Sequence, residues 1–449
     1  MLLALLLSFL ALQDPAPLPT PPAGWRTEHL TFPLSFAPEL EYRGTEDLAF
    51  APGMFTLDSD SYFSYALALV LEGDVLIDAE MLTRFLETYY RGLCRAVAAD
   101  RKLELDWNKV RAVVTRHGAA YRATIQMFDP FTNGQELELV LELHVHARPH
   151  ATEILGLASP LDDEAPVWGQ LHALRDPWLA ARPAPVFLNH LFVVVDPETY
   201  AALAASTFLR EIFAVSEERT TVRADRTYTG LYFYGERTYF EFLKPGSYVG
   251  TGLALGVERA RGLEDFARRL EGEHVRTQAG PITRQLDGAD LPWFQILGLE
   301  MPTSALTVFA MEYDPDFLVH WRGMEFAHGW IARRDVLDGY AARLERTELR
   351  QRSSFLDISS VELSLNAVER QALAKAARAA LWELEEEETR LRASGPQISL
   401  SVSPAAKDPS AGITRFEVRL RTPIAREPLT LGRITVTFED SHAVFRLAP

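Results

Sequence analysis

Between Leu188 and Val195 the chain is almost wholly apolar, and it then switches abruptly to Asp196-Pro197-Glu198. The apolar run predicts a buried strand over 188–195. Asp196 as a cap, with Pro197 in the first turn, predicts the helix that follows. Runs at 219–224, 228–234 and 237–243 are rich in β-branched and aromatic residues and read as strands, the last two separated by Gly235-Glu236. The predicted order is β-α-β-β-β. After Gly250 it recurs, with a strand over 252–257, a helix near 261–272 and strands near 282–286, 293–299 and 304–313. His190 and Gly252 hold corresponding places, 62 residues apart.

Upstream, residues 25–178 predict a domain of mixed α and β elements. Asp78 can cap a helix whose apolar positions, from Met81 and Leu82 through Leu93 and Val97, recur at helical spacing. Strands are expected over 64–71, 120–128, 135–146 and 152–158, with Asn133-Gly134 as a hairpin signal. Pro177, Pro183 and Pro185 predict a break, with a linker over 179–186. Downstream of 315, Val361–Leu365 reads as a strand, and Asn366 with Glu369 forms a capping box for a helix that ends in the acidic run Glu383–Glu388. Strands follow near 397–403, 412–420 and 431–446. The pattern leaves open whether 316–449 is a further β-α-β-β-β unit or a separate cap. The expected fold class is α+β: an N-terminal α+β domain, a paired β-α-β-β-β domain over 187–315, and a C-terminal α/β extension.

A length of 449 residues points to two or three domains. With 47% hydrophobic and 24% charged residues, extensive disorder is excluded. A net charge of −17 without a basic block excludes nucleic acid and anionic membranes as partners. The first twelve residues are apolar apart from Ser8, too few for the roughly 20 that cross a bilayer. They predict a signal peptide over 1–13, followed by a proline-rich tether over 14–24. The expectation is an exported protein, periplasmic or extracellular, with no stable membrane insertion after signal removal. Its single cysteine, Cys94, leaves no intramolecular disulfide.

The motifs NHLFVVVDPETY, TYFEFLKP, TGLALGVE and FAMEYDP, in that order within about 187–315, resemble the vicinal oxygen chelate superfamily. Its members include glyoxalases, extradiol dioxygenases and bleomycin-resistance proteins. Leu188–Pro245 also resembles secreted bacterial proteins with a glyoxalase-like module, and the first domain resembles a domain of unknown function. The resemblance implies metal ligands on the first and last strands of each unit, around a cleft. His190 matches the first-strand ligand and Glu241 the last-strand carboxylate. An imidazole and a carboxylate suit Zn, Fe, Mn or Ni. In the second unit the counterpart of His190 is Gly252. That of Glu241 is Phe309 in a glyoxalase-like register, or Met311 by the first unit's own spacing, while Glu312 faces the other way. Half of the implied ligand set is missing.

Three readings of His190 and Glu241 therefore stay open. They are a metal site completed by water or by His320 or His328, a metal-free ligand pocket in which Glu241 orients His190, and a purely structural pair. Aromatic residues crowd the two strands around Glu241, one subset facing it and the other packing outward against the helix. Tyr232 and Tyr239 join His190 and Glu241 as candidate pocket residues. Glu142, His144 and His146 share a strand face opposite Leu139, Leu141 and Leu143, a second candidate metal cluster, although a half-solvated strand shows the same alternation. The chain has no phosphate-binding glycine loop, nucleophile elbow or Ser-His-Asp signature, and no residue is assigned as catalytic. The expected function is binding of a small organic ligand with no metal required. The alternatives are a metal-dependent lyase, isomerase or dioxygenase, and an envelope-associated scaffold.

Overall fold

The computed structural model describes residues 16–448 apart from 74, 76, 118–119, 149, 224–225, 260, 287–288, 303–304, 315–330 and 406–410. The expected signal peptide, His320 and His328 lie outside the described residues. The fold is mixed α+β with three sheets of seven, eight and eight strands. The chain forms two compact units that divide at Pro183/Ala184, the second also taking in residues 116–120 and 147–151.

The first unit carries β1 (Arg26–Thr31), β2 (Gly44–Phe50), β3 (Tyr65–Glu72), β4 (Arg111–His117), β5 (Ala120–Phe128), β6 (Glu136–Arg148) and β7 (Ala151–Ser159). Their order in the sheet is β1-β2-β3-β7-β6-β5-β4. Helix α1 (Ala79–Arg101) starts where Asp78 accepts from the Met81 amide at 2.7 Å, and its buried stripe covers one sheet face. Helix α2 (Pro166–Ala180) packs with Ala66, Ala68, Leu155 and Leu157. It runs through Pro177, where the sequence predicted a break. The buried Trp178 donates to the Pro17 carbonyl at 3.0 Å and stacks under Arg182 at 4.2 Å, so its packing outweighs one lost helical hydrogen bond.

The second unit begins with β8 (Phe187–Val194), α3 (Pro197–Ala205), β9 (Val215–Val222), β10 (Thr227–Tyr234) and β11 (Tyr239–Leu243). It repeats with β12 (Thr251–Gly256), α4 (Gly262–Gly272), β13 (Thr277–Leu286), β14 (Ala289–Leu299) and β15 (Leu306–Tyr313), followed by α5 (Arg333–Arg343) and α6 (Thr347–Arg352). Asp196 caps α3 from the position its spacing predicts, accepting from the Thr199 amide at 2.9 Å. In each repeat the last strand returns parallel beside the first, and β8 meets β12 antiparallel at the centre of the sheet. The full order is β13-β14-β15-β12-β8-β11-β10-β9.

The tail has the same plan. Strand β16 (Phe355–Leu365), α7 (Ala367–Ala379), β17 (Glu383–Glu386), β18 (Leu391–Gly395) and β19 (Ile398–Pro404) form a third β-α-β-β-β set, with β19 parallel to β16. Strands β20 (Gly412–Leu420), β21 (Leu429–Leu431), β22 (Ile434–Glu439) and β23 (His442–Leu447) form a fourth in the order β20-β23-β22-β21. Residues 421–428 hold no crossover helix, and β23 accordingly runs antiparallel to β20. Two expectations fail here. The acidic run does not end the helix: Leu381 adopts φ +60, the Trp382 amide closes on the Ala377 carbonyl, and Glu383–Glu386 emerges as an edge strand. The stretch 431–446 is a β-hairpin rather than one strand.

Alternation splits the β10–β11 aromatics, but the outward set does not pack chiefly on a helix. Phe240 lies 5.2 Å from Phe416 and 5.1 Å from Phe445, so the two eight-stranded sheets share one core. Asp357 on β16 pins the β10–β11 turn to the second sheet. It accepts from the Arg237 and Thr238 amides and, at 2.6 Å, from the Arg237 guanidinium. Burial alone would raise its carboxyl, but the charge and hydrogen bonds of Arg237 hold it below the usual carboxylate range. Replacing Asp357 by Ala strands a buried guanidinium. We expect a loss of about 3–5 kcal/mol in urea denaturation. A loss within 0.5 kcal/mol, the ordinary range for surface positions, would show that this clamp is dispensable.

Candidate functional site

Register explains which side chains meet. Directly paired residues share a sheet face, and Tyr239 pairs with His190, His190 with Ala254, and Ala254 with Phe309. One strand step away, Tyr232 pairs with Glu241, Glu241 with Phe192, and Phe192 with Gly252. This face borders a cavity of about 200 Å³. His190, Tyr239 and Glu241 line it, with Phe309 and Met311 from the second repeat. Tyr232, a candidate pocket residue, does not. Its ring is fully buried beneath the Arg219 guanidinium at 4.1 Å.

The imidazole of His190 stacks on Tyr239 with ring centroids 4.3 Å apart, and meets the edge of Phe309 at 5.7 Å across the small Ala254. Its Nδ1 lies 2.9 Å from Asn189 Oδ1, an acceptor, so Nδ1 carries the proton and Nε2 the lone pair. Nε2 stands 3.6 Å from Glu241 Oε1, too far for a direct hydrogen bond. Burial, and then the positive charge of Arg219, drives the His190 imidazole down to about 3. Burial pushes the Glu241 carboxyl up to about 8 against the opposing pull of Arg219. At neutral pH the pair is therefore mainly a neutral base beside a neutral acid. A ligand hydroxyl or carboxylate reaching both would find one acceptor and one donor.

The second repeat offers no metal ligand at the corresponding places. The pseudo-twofold register maps His190 onto Gly252 and Glu241 onto Phe309, which decides between the two registers left open and sets Met311 aside. A Cβ at Gly252 would fall 2.0 Å from the Phe192 ring, so the place of a second-unit ligand is filled by an aromatic side chain. Glu312 points away, accepting from the Arg261 and Leu263 amides at 2.9 Å at the start of α4. Among the described residues no three His, Cys, Asp or Glu side chains come together as a metal-binding group. Two donors, His190 and Glu241, are fewer than a resident metal ordinarily takes from protein, so the described residues do not fit the metal that the resemblance implies.

The second candidate cluster does not assemble as expected. His144 Nε2 lies 2.6 Å from Glu142 Oε1, but His146 packs edge-on near Trp178 instead. His172 and Arg175 from α2 complete the surroundings of Glu142 at 3.1 and 3.2 Å. Burial would raise this carboxyl, yet the His144 hydrogen bond and the Arg175 and His172 charges lower it to about 2. Glu142 acts as the counter-ion of a half-buried polar network.

Arg219, Arg223 and Arg226 also line the cavity, with Tyr248 and Trp293, and the sequence reading overlooked them. The signal lay in Glu217-x-Arg219-x-Thr221, a polar alternation on β9 whose partners on β10 are Tyr232, Gly230 and Tyr228. Polar residues facing an aromatic strand mark a lined cleft rather than a solvated edge.

A model of the "Family of unknown function (DUF5829)" matches residues 188–447, more than half of the chain, and the chain belongs to this family. No curated protein sequence matches. Among solved structures, a hypothetical protein from Staphylococcus aureus is similar with a TM-score of 0.33 and 11% identity, covering 49% of this chain and 86% of that one. An extradiol ring-cleaving dioxygenase from B. fuscum is similar with a TM-score of 0.30 and 10% identity, covering 53% and 56%. The Mn(II)-bound glyoxalase from Novosphingobium aromaticivorans is similar with a TM-score of 0.29 and 9% identity, covering 51% and 64%.

Two outcomes follow from the geometry. Gly252→Ala should cost about 1–3 kcal/mol through overlap with Phe192. In a Phe192→Ala background most of that added cost should vanish, and a double-mutant cycle with additive effects would refute the close approach. Because the folded carboxyl of Glu241 is raised, its stabilising contribution is complete below an unfolded value of about 4.3. It is lost as pH rises through about 8. Glu241→Gln lacks this loss, so its stability relative to wild type should climb between pH 4.5 and 8 and then level off. A difference that is flat with pH in chemical denaturation would mean that Glu241 is already ionised in the fold.

Proposed function

We propose that this member of the DUF5829 family binds a small organic ligand in the cleft of its second unit and needs no metal to do so. The paired repeats are read as a glyoxalase-like module whose second half has been given over to packing. One observation carries the proposal: a buried base and a buried acid, His190 and Glu241, face each other 3.6 Å apart at a cavity without bonding each other. Asn189 holds His190 from Nδ1, so the Nε2 lone pair is left for a ligand. The aromatic walls supply the apolar area that small-molecule sites require. The chain is further proposed to be exported, on the strength of its apolar N-terminal run and the proline-rich stretch after it.

The test is a thermal-shift screen of small organic compounds on the full chain, purified with and without chelator. We expect stabilising compounds whose effect survives chelation and weakens about tenfold or more in affinity in Glu241→Gln and His190→Ala. Stoichiometric metal that is lost in both variants, with ligand binding lost on chelation, would reject the metal-free reading.

A further inference from the structure

The first unit encloses a space of its own. Between α1 and the β1–β3 side of the sheet lies a cavity of about 520 Å³, a large void for an interior that ordinarily packs like a molecular crystal. Its position follows from register. Phe50 pairs with Tyr65 and with Arg26, and Leu48 with Glu28, so these side chains share one sheet face. Tyr89, Leu93 and Val97 recur every four residues on α1 and line the facing wall over about 12 Å. Phe50, Phe55, Phe131, Phe63 and Tyr65 form a closed circuit of ring contacts around one side, each centroid 5.5 to 6.4 Å from the next.

Polar groups are kept out of the interior of this cavity. Tyr65 and Tyr89 line it, yet both hydroxyls are engaged elsewhere. That of Tyr65 lies 2.5 Å from the Tyr90 hydroxyl, and that of Tyr89 donates to Glu46 at 2.8 Å. Both residues therefore present ring surface to the cavity. The other polar lining residues, Arg26, Thr27, Glu28 and Ser35, are all exposed. Three of them belong to β1, the outermost strand of the sheet, which places them at the mouth. Phe55, also exposed, stands there with the Arg26 guanidinium 5.0 Å from its ring centre. The mouth thus carries one cation and one carboxylate, and the interior carries neither. A polar group pushed inside would lose its water without gaining a partner, whereas hydrocarbon would gain by leaving water.

We propose that the first unit holds a second binding site, for a single-chain amphiphile whose acyl chain lies between α1 and the sheet and whose polar head stays at the mouth beside Arg26 and Glu28. A six-carbon ring fills a cavity of about 150 Å³, so 520 Å³ has room for a chain on the order of ten to twenty carbons. The head needs no particular charge, because the mouth offers one of each sign. A heterocyclic ligand fits poorly, since its ring nitrogens and carbonyls would be stranded among phenyl rings and leucines. This site lies wholly within the first unit and is independent of the His190–Glu241 cleft in the second.

The experiment titrates the full chain by calorimetry with dodecanoate, with its uncharged counterpart monododecanoylglycerol, and with butanoate, the long-chain probes kept below their micelle concentrations. We expect the two dodecanoyl probes to bind within about threefold of each other. Butanoate should bind at least about a hundredfold more weakly than dodecanoate, since each buried methylene is worth roughly fourfold in affinity. The double variant Leu93→Phe/Val97→Phe fills the cavity from the half-buried face of α1. It should weaken both dodecanoyl probes tenfold or more while the melting temperature holds or rises. Binding unchanged in His190→Ala separates this site from the cleft. Dodecanoyl binding that is lost in His190→Ala but kept in the double variant would place the chain in the cleft and overturn the proposal. Dodecanoate binding with no binding of the uncharged probe would overturn the amphiphile class in favour of an anion site. Absence of binding by both long-chain probes would reject the site outright, and neither result touches the cleft, which the screen above decides on its own.

Discussion

The antiparallel join of β8 to β12 is the contact on which the chemistry of the second unit depends. It places His190 opposite Ala254 and Phe192 opposite Gly252. Side chains alternate across a strand, so a slip of one residue would turn His190 toward the apolar core and bring Leu191 into the cleft. Core packing prevents that slip: Leu191 and Val193 on β8 and Leu253 and Leu255 on β12 are buried in the same core. The polar pair therefore owes its position to the apolar residues between which it is interleaved. The small residues at 252 and 254 are part of the same arrangement, since they let Phe192 and Phe309 close over the places a second set of ligands would need.

Burial and neighbours then decide what each carboxyl can do. Glu142 and Glu241 both sit on strands, each beside a histidine, yet they end in opposite states. Glu142 gathers His144, His172 and Arg175 directly and stays ionised to about pH 2. Glu241 has the Arg219 charge nearby, but burial dominates and its carboxyl rises to about 8. Composition could not distinguish them. A count of partners on the neighbouring elements does, and those partners come from helix α2 in one case and from strand β9 in the other.

Much of the local structure was legible because its causes are local. Asp78, Asp196 and Asn366 cap helices where their spacing says they should, and the Asn366–Glu369 capping box closes in both directions. What escaped the sequence was decided at a distance. Helix α2 survives Pro177 because Trp178 has a buried berth, and the acidic run becomes a strand because Leu381 turns the chain and β18 offers an edge. In the cleft, His190 and Glu241 were visible as residues with matching motifs. Arg219 was not, because its place depends on which face of β9 meets Tyr232 and on the glycine opposite it. The choice of Phe309 over Met311 likewise required the parallel register of β12 with β15.

The tail tests whether the repeated architecture brings the chemistry with it. Ser360 lies six residues before the cap Asn366, as His190 lies six before Asp196. Glu362 pairs with Ser401 as Phe192 pairs with Glu241, so Ser360 and Ser401 hold the places of the base and the acid. The inward face of this sheet, with Val361, Leu363 and Phe416, is spent on the core it shares with the first sheet. Its other face carries solvated charge, including Arg415 between Glu362 and Glu417. The third set has the β-α-β-β-β order and neither side chain of the pair. The same strand order thus supports a cleft in one sheet and a plain packing surface in the other, and the difference rests on a few alternating positions rather than on the fold.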